Sequence, residues 1–282
     1  MNKVAIMTDS TAYIPLHIRE DLNISMVPLN VVFGEEAFKE EMEITIEQFY
    51  KELKQKDTLP TTSQPAIGLF EEEYNQLAAA GYEDVIVITL SSGISGTYQT
   101  AVAAGNTAEG INVHVFDSEI SCMVQGFYVL KAAKMANEGK TTDEILHHLQ
   151  DMKSTTRAYF MVDDLNHLHR GGRLNGAQLI VGSLLQIKPV LHFENKVIVP
   201  FEKVRTAKKA LNLILTMLDD DVKKGTPLQI TVIHANRLNK ANEIAAELRQ
   251  KYPDCHIAVS YFGPVIGTHL GEGSIGIGWA QL

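Results

Sequence analysis

Hydrophobic positions along this chain follow two rhythms. Short continuous apolar runs, Val4-Ala-Ile-Met7, Asp84-Val-Ile-Val-Ile-Thr-Leu90 and Ile111-Asn-Val-His-Val-Phe116, are rich in β-branched residues and end in small polar ones. That is how strands buried on both faces of a parallel sheet read. Between them lie stretches with helical start signals. Thr45-Ile-Glu-Gln48 is a capping box opening a helix to about residue 56, and Thr141-Thr-Asp-Glu144 opens another to 152. Ser63 followed by Pro65 predicts a helix ending at Gly81, and a further helix is predicted over 122–137. Residues 24–33 read as one strand with Pro28 inside it, which implies an edge or a bulge.

From Ala158 the rhythm changes. A strand over 158–162 leads to the basic, glycine-broken connector His167-Leu-His-Arg-Gly-Gly-Arg173 and an apolar helix over 176–185. A hairpin over 189–200 follows, then helix 206–224, strand 228–234, helix 240–252 and strand 256–262. A glycine-rich turn over 263–271 precedes a last strand over 274–281. The expected fold is α/β in two domains. Residues 1–155 would form an N-terminal α/β domain with a mostly parallel sheet, and 156–282 a C-terminal α+β domain with a mixed sheet.

Composition adds mainly exclusions. A chain of 282 residues with net charge −9 lacks the basic footprint of a nucleic-acid binder. Two cysteines, Cys122 and Cys255, make neither a disulfide framework nor a zinc pattern. No apolar stretch approaches the ~18 residues of a membrane span, and Val4–Met7 is too short for a signal peptide, so a cytoplasmic protein without an integral membrane segment is expected. Charge is unevenly placed: residues 35–73 sum to −7, and residues 170–209 to +6.

The candidate chemistry lies where strands end. Ser91-Ser-Gly-Ile-Ser-Gly-Thr-Tyr-Gln99 follows a buried strand and precedes a helix, an arrangement that gathers backbone N–H groups and a helix dipole at one place. Ser91, Ser92, Ser95 and Thr97 supply more hydroxyls than one cap needs. Thr61 and Thr62 form a second hydroxyl cluster. No Lys or Arg occurs between Asp57 and Leu130, whereas phosphate loops normally carry one. Unless another region brings in a cation, such loops suit a carboxylate rather than a polyphosphate. Thr8-Asp-Ser10 and Asp117-Ser118 end two further strands, and in an open parallel sheet those ends share the ligand-binding edge. Gly271-Glu-Gly-Ser-Ile-Gly276 copies a dinucleotide fingerprint but leaves no room for the helix that must follow. His269 is a titratable donor that could reach a cleft between the domains.

These motifs together resemble the DegV family: Thr8-Asp-Ser10, Pro60-Thr-Thr-Ser-Gln-Pro65, Ser91–Gln99, Arg170-Gly-Gly-Arg173 and Gly263-Pro-Val-Ile-Gly-Thr-His269, in order across the chain. The resemblance implies a bacterial fatty-acid-binding protein, in some members the lipid-carrier subunit of fatty acid kinase. A long-chain fatty acid would then lie between the two domains, with no cofactor and no catalysis of the chain's own. Its carboxylate would be held by Thr61 or Thr62, by Ser92 or Ser95, and by His269, and would be presented to the catalytic subunit of a fatty acid kinase. Arg170 and Arg173 are candidates for docking that partner. An enzyme acting on a small carboxylated or phosphorylated metabolite at the same loops is the alternative.

Overall fold

The structure, a computed structural model, describes residues 3–56, 58–174 and 188–282. The first half supplies β1 (Val4–Asp9), α1 (Leu16–Asp21), β2 (Ile24–Val27), β3 (Asn30–Phe33), β4 (Glu36–Lys39), α2 (Ile46–Gln55), β5 (Thr61–Ser63), α3 (Ile67–Ala79), β6 (Asp84–Thr89), α4 (Thr97–Gly105), β7 (Asn112–Asp117), α5 (Cys122–Asn137) and α6 (Thr142–Met152). The second supplies β8 (Arg157–Met161), α7 (Asn166–Arg170), β9 (Val190–Glu194), β10 (Val197–Glu202), α8 (Ala207–Val222), β11 (Leu228–His234), α9 (Leu238–Lys251), β12 (His256–Tyr261), α10 (Pro264–Leu270) and β13 (Ile275–Gln281). The helix expected over 176–185 lies outside the described residues.

Strands β2-β1-β6-β7 make a four-stranded, wholly parallel sheet. The central pair β1 and β6 is buried at every position, which the continuous apolar runs require. Odd and even positions of β6 face different partners. Val85 and Val87 meet Phe70 and Tyr74 of α3 and Ala101 of α4, while Ile86 and Ile88 turn toward α5. The second sheet, β10-β9-β8-β13-β11-β12, is mixed: only β11 and β12 run parallel. Its outer face packs Ile230, Val232 and Trp279 under α8 and α9. Helix α5 is sandwiched between the two sheets, and Val124 sits so close to β13 that a Cβ on Gly278 would stand 2.2 Å from its Cγ2. One apolar cluster therefore runs from Ile86 and Phe127 through to Phe160, Ile233 and Ala280.

The structure revises three sequence expectations. Residues 24–33 are two strands, not one. Pro28 ends β2 in the parallel sheet, and β3 enters a separate antiparallel sheet, β4-β3-β5. Helix α3 starts at Ile67 with Ala66 at its N-cap, because Thr61–Ser63 are consumed as strand β5 against β3. The glycine-rich turn over 263–271 is a helix, α10, with Gly263 at its N-cap and Pro264 in its first turn. The hydroxyls at 61–63 and the imidazole of His269 thus stand on regular elements.

Candidate functional site: an apolar cavity with a polar mouth

Strand order reverses between β1 and β6, so the crevice beyond their C-terminal ends is where an open α/β sheet binds ligands. Here the chain fills that crevice itself. Asp9 is buried and accepts from the backbone N–H of Leu90 at 2.8 Å, from Thr11 at its N–H and hydroxyl, and from the Gln125 amide. Burial raises its pKa and those hydrogen bonds pull it back. Ser92 donates to Asp117 at 2.5 Å, and Ser91 donates to the Lys196 carbonyl in the β9–β10 turn. Lys196 also pairs with Asp117 at 3.0 Å, and the Ser92 and Lys196 contacts leave the Asp117 pKa lowered despite its burial. Much of the hydroxyl surplus is therefore spent on tying loops together.

The open space lies one step further out. A cavity of about 310 Å³ sits between the loops of the parallel sheet, the N-terminal end of α5, the inner face of the second sheet and α10. That volume is at the small end of small-molecule sites. Its walls are predominantly apolar and include Leu29, Ile94, Val124, Phe160, Phe262 and Ile266. Polar groups collect from Thr62, Ser63, Gln64, Ser95, Arg173 and His269. A second, more polar cavity of about 490 Å³ shares Thr62, Arg173 and His269 with the first and adds Thr61, His167 and Arg170.

Each side chain is there for a local reason. Alternate residues of a strand face opposite ways, so pairing Thr62 with Val31 turns the Thr62 hydroxyl inward, while Thr61 faces outward and Ser63 reaches only the exposed rim of the cavity. Thr62 Oγ1 lies 2.8 Å from His269 Nε2. Ser95 is linked to Thr97 at 2.9 Å and lines the cavity, whereas Ser92, held by Asp117, does not. Thr61 and Arg170 line only the outer cavity. Gln64 locks the two hydroxyl loops together: it donates to Thr100 at 2.7 Å and its amide lies where a Cβ on Gly96 would be. Sequence reading missed Gln64, although the Gly-Thr following Ser95 hinted at a close backbone approach.

Charge is the larger surprise. The loops are indeed free of Lys and Arg, but the mouth is not, since Arg173 arrives from the connector after α7. Its Nε donates to the Ile94 carbonyl at 3.1 Å and its Nη1 to the Gly171 carbonyl at 2.7 Å, which fixes it beside the Ser95 loop. Among the described lining residues it alone carries a formal charge. Burial, then Arg173, then His167 push the His269 pKa from 6.5 down to about 4, so its imidazole is neutral at pH 7. The His269 Nδ1 is buried with no hydrogen-bond partner among the described residues. A mouth with one cation, several hydroxyls and a neutral imidazole among its described residues suits a single negative charge. No group of His, Cys, Asp and Glu among the described residues could hold a metal ion. No described helix is long and apolar enough to cross a membrane.

The family model described as an uncharacterised protein of the DegV family matches residues 3–282. The protein DegV of Bacillus subtilis is 56% identical over 277 residues, covering 98% of each chain. The crystal structure of DegV from Bacillus subtilis, described as a fatty acid binding protein, superposes with a TM-score of 0.96 at 54% identity over 100% of both chains. A fatty acid binding DegV family protein from Streptococcus agalactiae superposes at 0.92 with 31% identity, again over 100% of both chains. With the model matched across the described fold and relatives this similar along their whole length, the chain belongs to the DegV family.

Proposed function

We propose that this protein binds a long-chain fatty acid, its acyl chain in the apolar cavity and its carboxylate at Thr62, Ser95, His269 and Arg173. The observation that carries this reading is the pairing of a predominantly apolar cavity with a mouth holding one formal charge, among the described residues, beside the neutral polar groups of Thr62, Ser95 and His269. Affinity would come from the chain: at ~0.8 kcal/mol per buried CH₂, about sixteen carbons offer roughly 13 kcal/mol gross, of which association consumes part. The hydrogen bonds would fix which end points outward. The relatives described as fatty acid binding support the ligand class. Thr61 and Ser92, turned away from the cavity, are left out of the head-group set.

The test is denaturing mass spectrometry of the purified protein. A co-purifying C14–C18 acid in stoichiometric amount supports the reading, and a polar metabolite in its place defeats it.

The same reading makes the chain a two-domain cytoplasmic carrier, divided near 155/156, without catalysis of its own. The carboxylate opens toward the outer cavity, where Arg170 is exposed. A fatty acid kinase carrying ATP and metal ions would be drawn to positive charge beside the ligand's head group. Because Arg173 lines the ligand cavity, Arg170 is the cleaner probe of docking. Arg170→Glu should abolish acyl-phosphate formation in a reconstituted kinase assay while lipid content stays unchanged. Full acyl-phosphate production by that variant would remove the docking role.

A further inference from the structure

Helix α10 carries His269 at its C-terminal end, and both of its ends are held by one small element, the β4-β3-β5 sheet. At the C-terminal end, Thr62 of β5 meets His269 at 2.8 Å. At the N-terminal end the grip is Glu40, the residue after β4, whose own N–H donates to the Leu29 carbonyl beside β3. Glu40 is 0% exposed. Its Oε1 accepts from the backbone N–H of Val265 at 2.7 Å and from the Tyr13 hydroxyl at 3.0 Å, and its Oε2 accepts from Ser10 at 2.6 Å. The first of these satisfies an N–H in the opening turn of α10, where the N-cap residue, Gly263, has no side chain to do so. A second opening N–H, that of Ile266, reaches the Tyr13 hydroxyl at 3.4 Å. Nothing about the proposed fatty acid requires a buried carboxyl here, and burying one is costly unless its position is used.

We infer that Glu40 is a positioning residue for the head-group site: by capping α10 across the chain, it holds His269 buried against Thr62. This rests on the fatty-acid reading for its consequence but not for its geometry. The helix has only seven residues, so a shift at its start is transmitted to its end within two turns. Tyr50 adds a brace, donating to the Phe262 carbonyl at 2.8 Å, and Gly267 lies flat on it: a Cβ there would stand 2.8 Å from Phe49 Cε1 and Tyr50 Oη. The other charged or titratable groups facing Glu40 are Tyr13 and Glu41 beside it, Tyr50 of α2, Cys122 of α5 and Tyr261 of β12, with Arg19 of α1 paired to Glu41. Burial is the largest influence on Tyr13, Glu41, Tyr50, Cys122 and Tyr261, and it pushes the Glu40 carboxyl up to about 8. A carbonyl oxygen at this position would satisfy Val265 and Tyr13 as well, so glutamine is the conservative replacement.

The experiment compares Glu40→Ala and Glu40→Gln in delipidated protein, reading the His269 imidazole titration by NMR and the affinity for palmitate by calorimetry. Glu40→Ala should raise the His269 pKa by at least about one unit, as the ring leaves its buried contact, and weaken palmitate binding about tenfold. Glu40→Gln should restore both. If the folded alanine variant keeps the wild-type His269 pKa and palmitate affinity and loses only melting temperature, Glu40 is a stabilising residue and the inference is wrong. Should Glu40→Ala not fold, Tyr13→Phe removes one donor to Glu40 and the Ile266 contact, and the same two readouts decide. Absence of palmitate binding by the wild type would count against the fatty-acid reading alone, since the His269 titration still tests the positioning.

Discussion

Stability should peak near pH 6.5 and fall on the alkaline side, with Glu40 responsible for the fall. Burial moves the Glu40 carboxyl from 4.5 in the unfolded chain to about 8 in the native one, against hydrogen bonds from Ser10, Val265 and Tyr13 that pull it down. The native chain therefore holds a proton that the unfolded chain has released, so this contribution is complete below 4.5 and is lost as pH rises toward 8. His269 acts oppositely. Its pKa is lowered from 6.5 to about 4, so stability rises with pH across that interval. His148, His192 and His234, all lowered chiefly by burial, add to the rise, and none of them contributes above 6.5, while Asp9, Glu41 and Glu73, raised by burial, act in the same sense as Glu40.

Each shifted group changes stability by about 1.4 kcal/mol per pH unit inside its window. Between 4.5 and 6.5 the slopes of Glu40 and His269 largely cancel. From 6.5 to 8 Glu40 acts without that opposition, and over roughly 1.5 units it removes about 2 kcal/mol. That is a large share of the ~5–15 kcal/mol that holds a domain together. Urea midpoints followed by circular dichroism from pH 5 to 9 give the profile. Glu40→Gln should flatten the decline above pH 6.5, while His269→Gln should make it begin at lower pH. Equal slopes in wild type and Glu40→Gln between pH 6.5 and 8 would refute the reasoning.

Thr62→Val should weaken palmitate binding about 10- to 100-fold, the scale of a hydrogen bond to a charged group, and calorimetry on delipidated protein measures it. Arg173→Gln should lower lipid occupancy in mass spectrometry and raise the His269 pKa, because Arg173 is one of the groups holding it down. Ser92→Ala should leave palmitate affinity unchanged but cost about 1 kcal/mol of stability through the lost Asp117 contact, seen as a lower urea midpoint. Octadecyl phosphate should compete for the cavity more weakly than stearate, and equal competition would contradict a mouth matched to one charge.

The parts of the fold legible in the sequence were those with local causes. The capping boxes at Thr45 and Thr141 are both formed, with side chain and backbone answering each other across three residues, and α5 occupies 122–137 as expected. What local pattern cannot say is which sheet a strand joins, and β2 and β3 part company at Pro28 for that reason. Helix α10 was hidden by its glycines. Gly263, Gly267 and Gly271 look like a loop because glycine disfavours helix interiors. Yet they lie four apart, and each answers a tertiary demand: a close approach of Tyr13, of Phe49 with Tyr50, and of His167. Gly271 also ends the helix at φ 74°, which side-chain-bearing residues rarely adopt.

The site was only partly legible, because a hydroxyl count cannot distinguish a ligand donor from a strut. Ser91 and Ser92 have the composition of an anion loop and serve as ties to Lys196 and Asp117, while Ser95, three positions beyond Ser92, reaches the cavity. Strand alternation does separate Thr62 from Thr61, but only once β5 is known to be a strand. The deciding quantity, charge, was assembled from far apart in the chain: Arg173 stands 78 positions beyond Ser95 and holds the Ile94 carbonyl next to it. Its presence also explains why His269 must be neutral. A second cation in the same mouth would pay desolvation and repulsion together, and a protonated imidazole beside Arg173 would overcompensate one carboxylate. Burial and Arg173 both drive the imidazole toward its neutral form, so the described lining carries one formal positive charge, which the proposed carboxylate would match. A dianionic phosphate ester in the same place would leave a desolvated negative charge unmatched, which is the physical ground for preferring the fatty-acid reading over a phosphorylated metabolite.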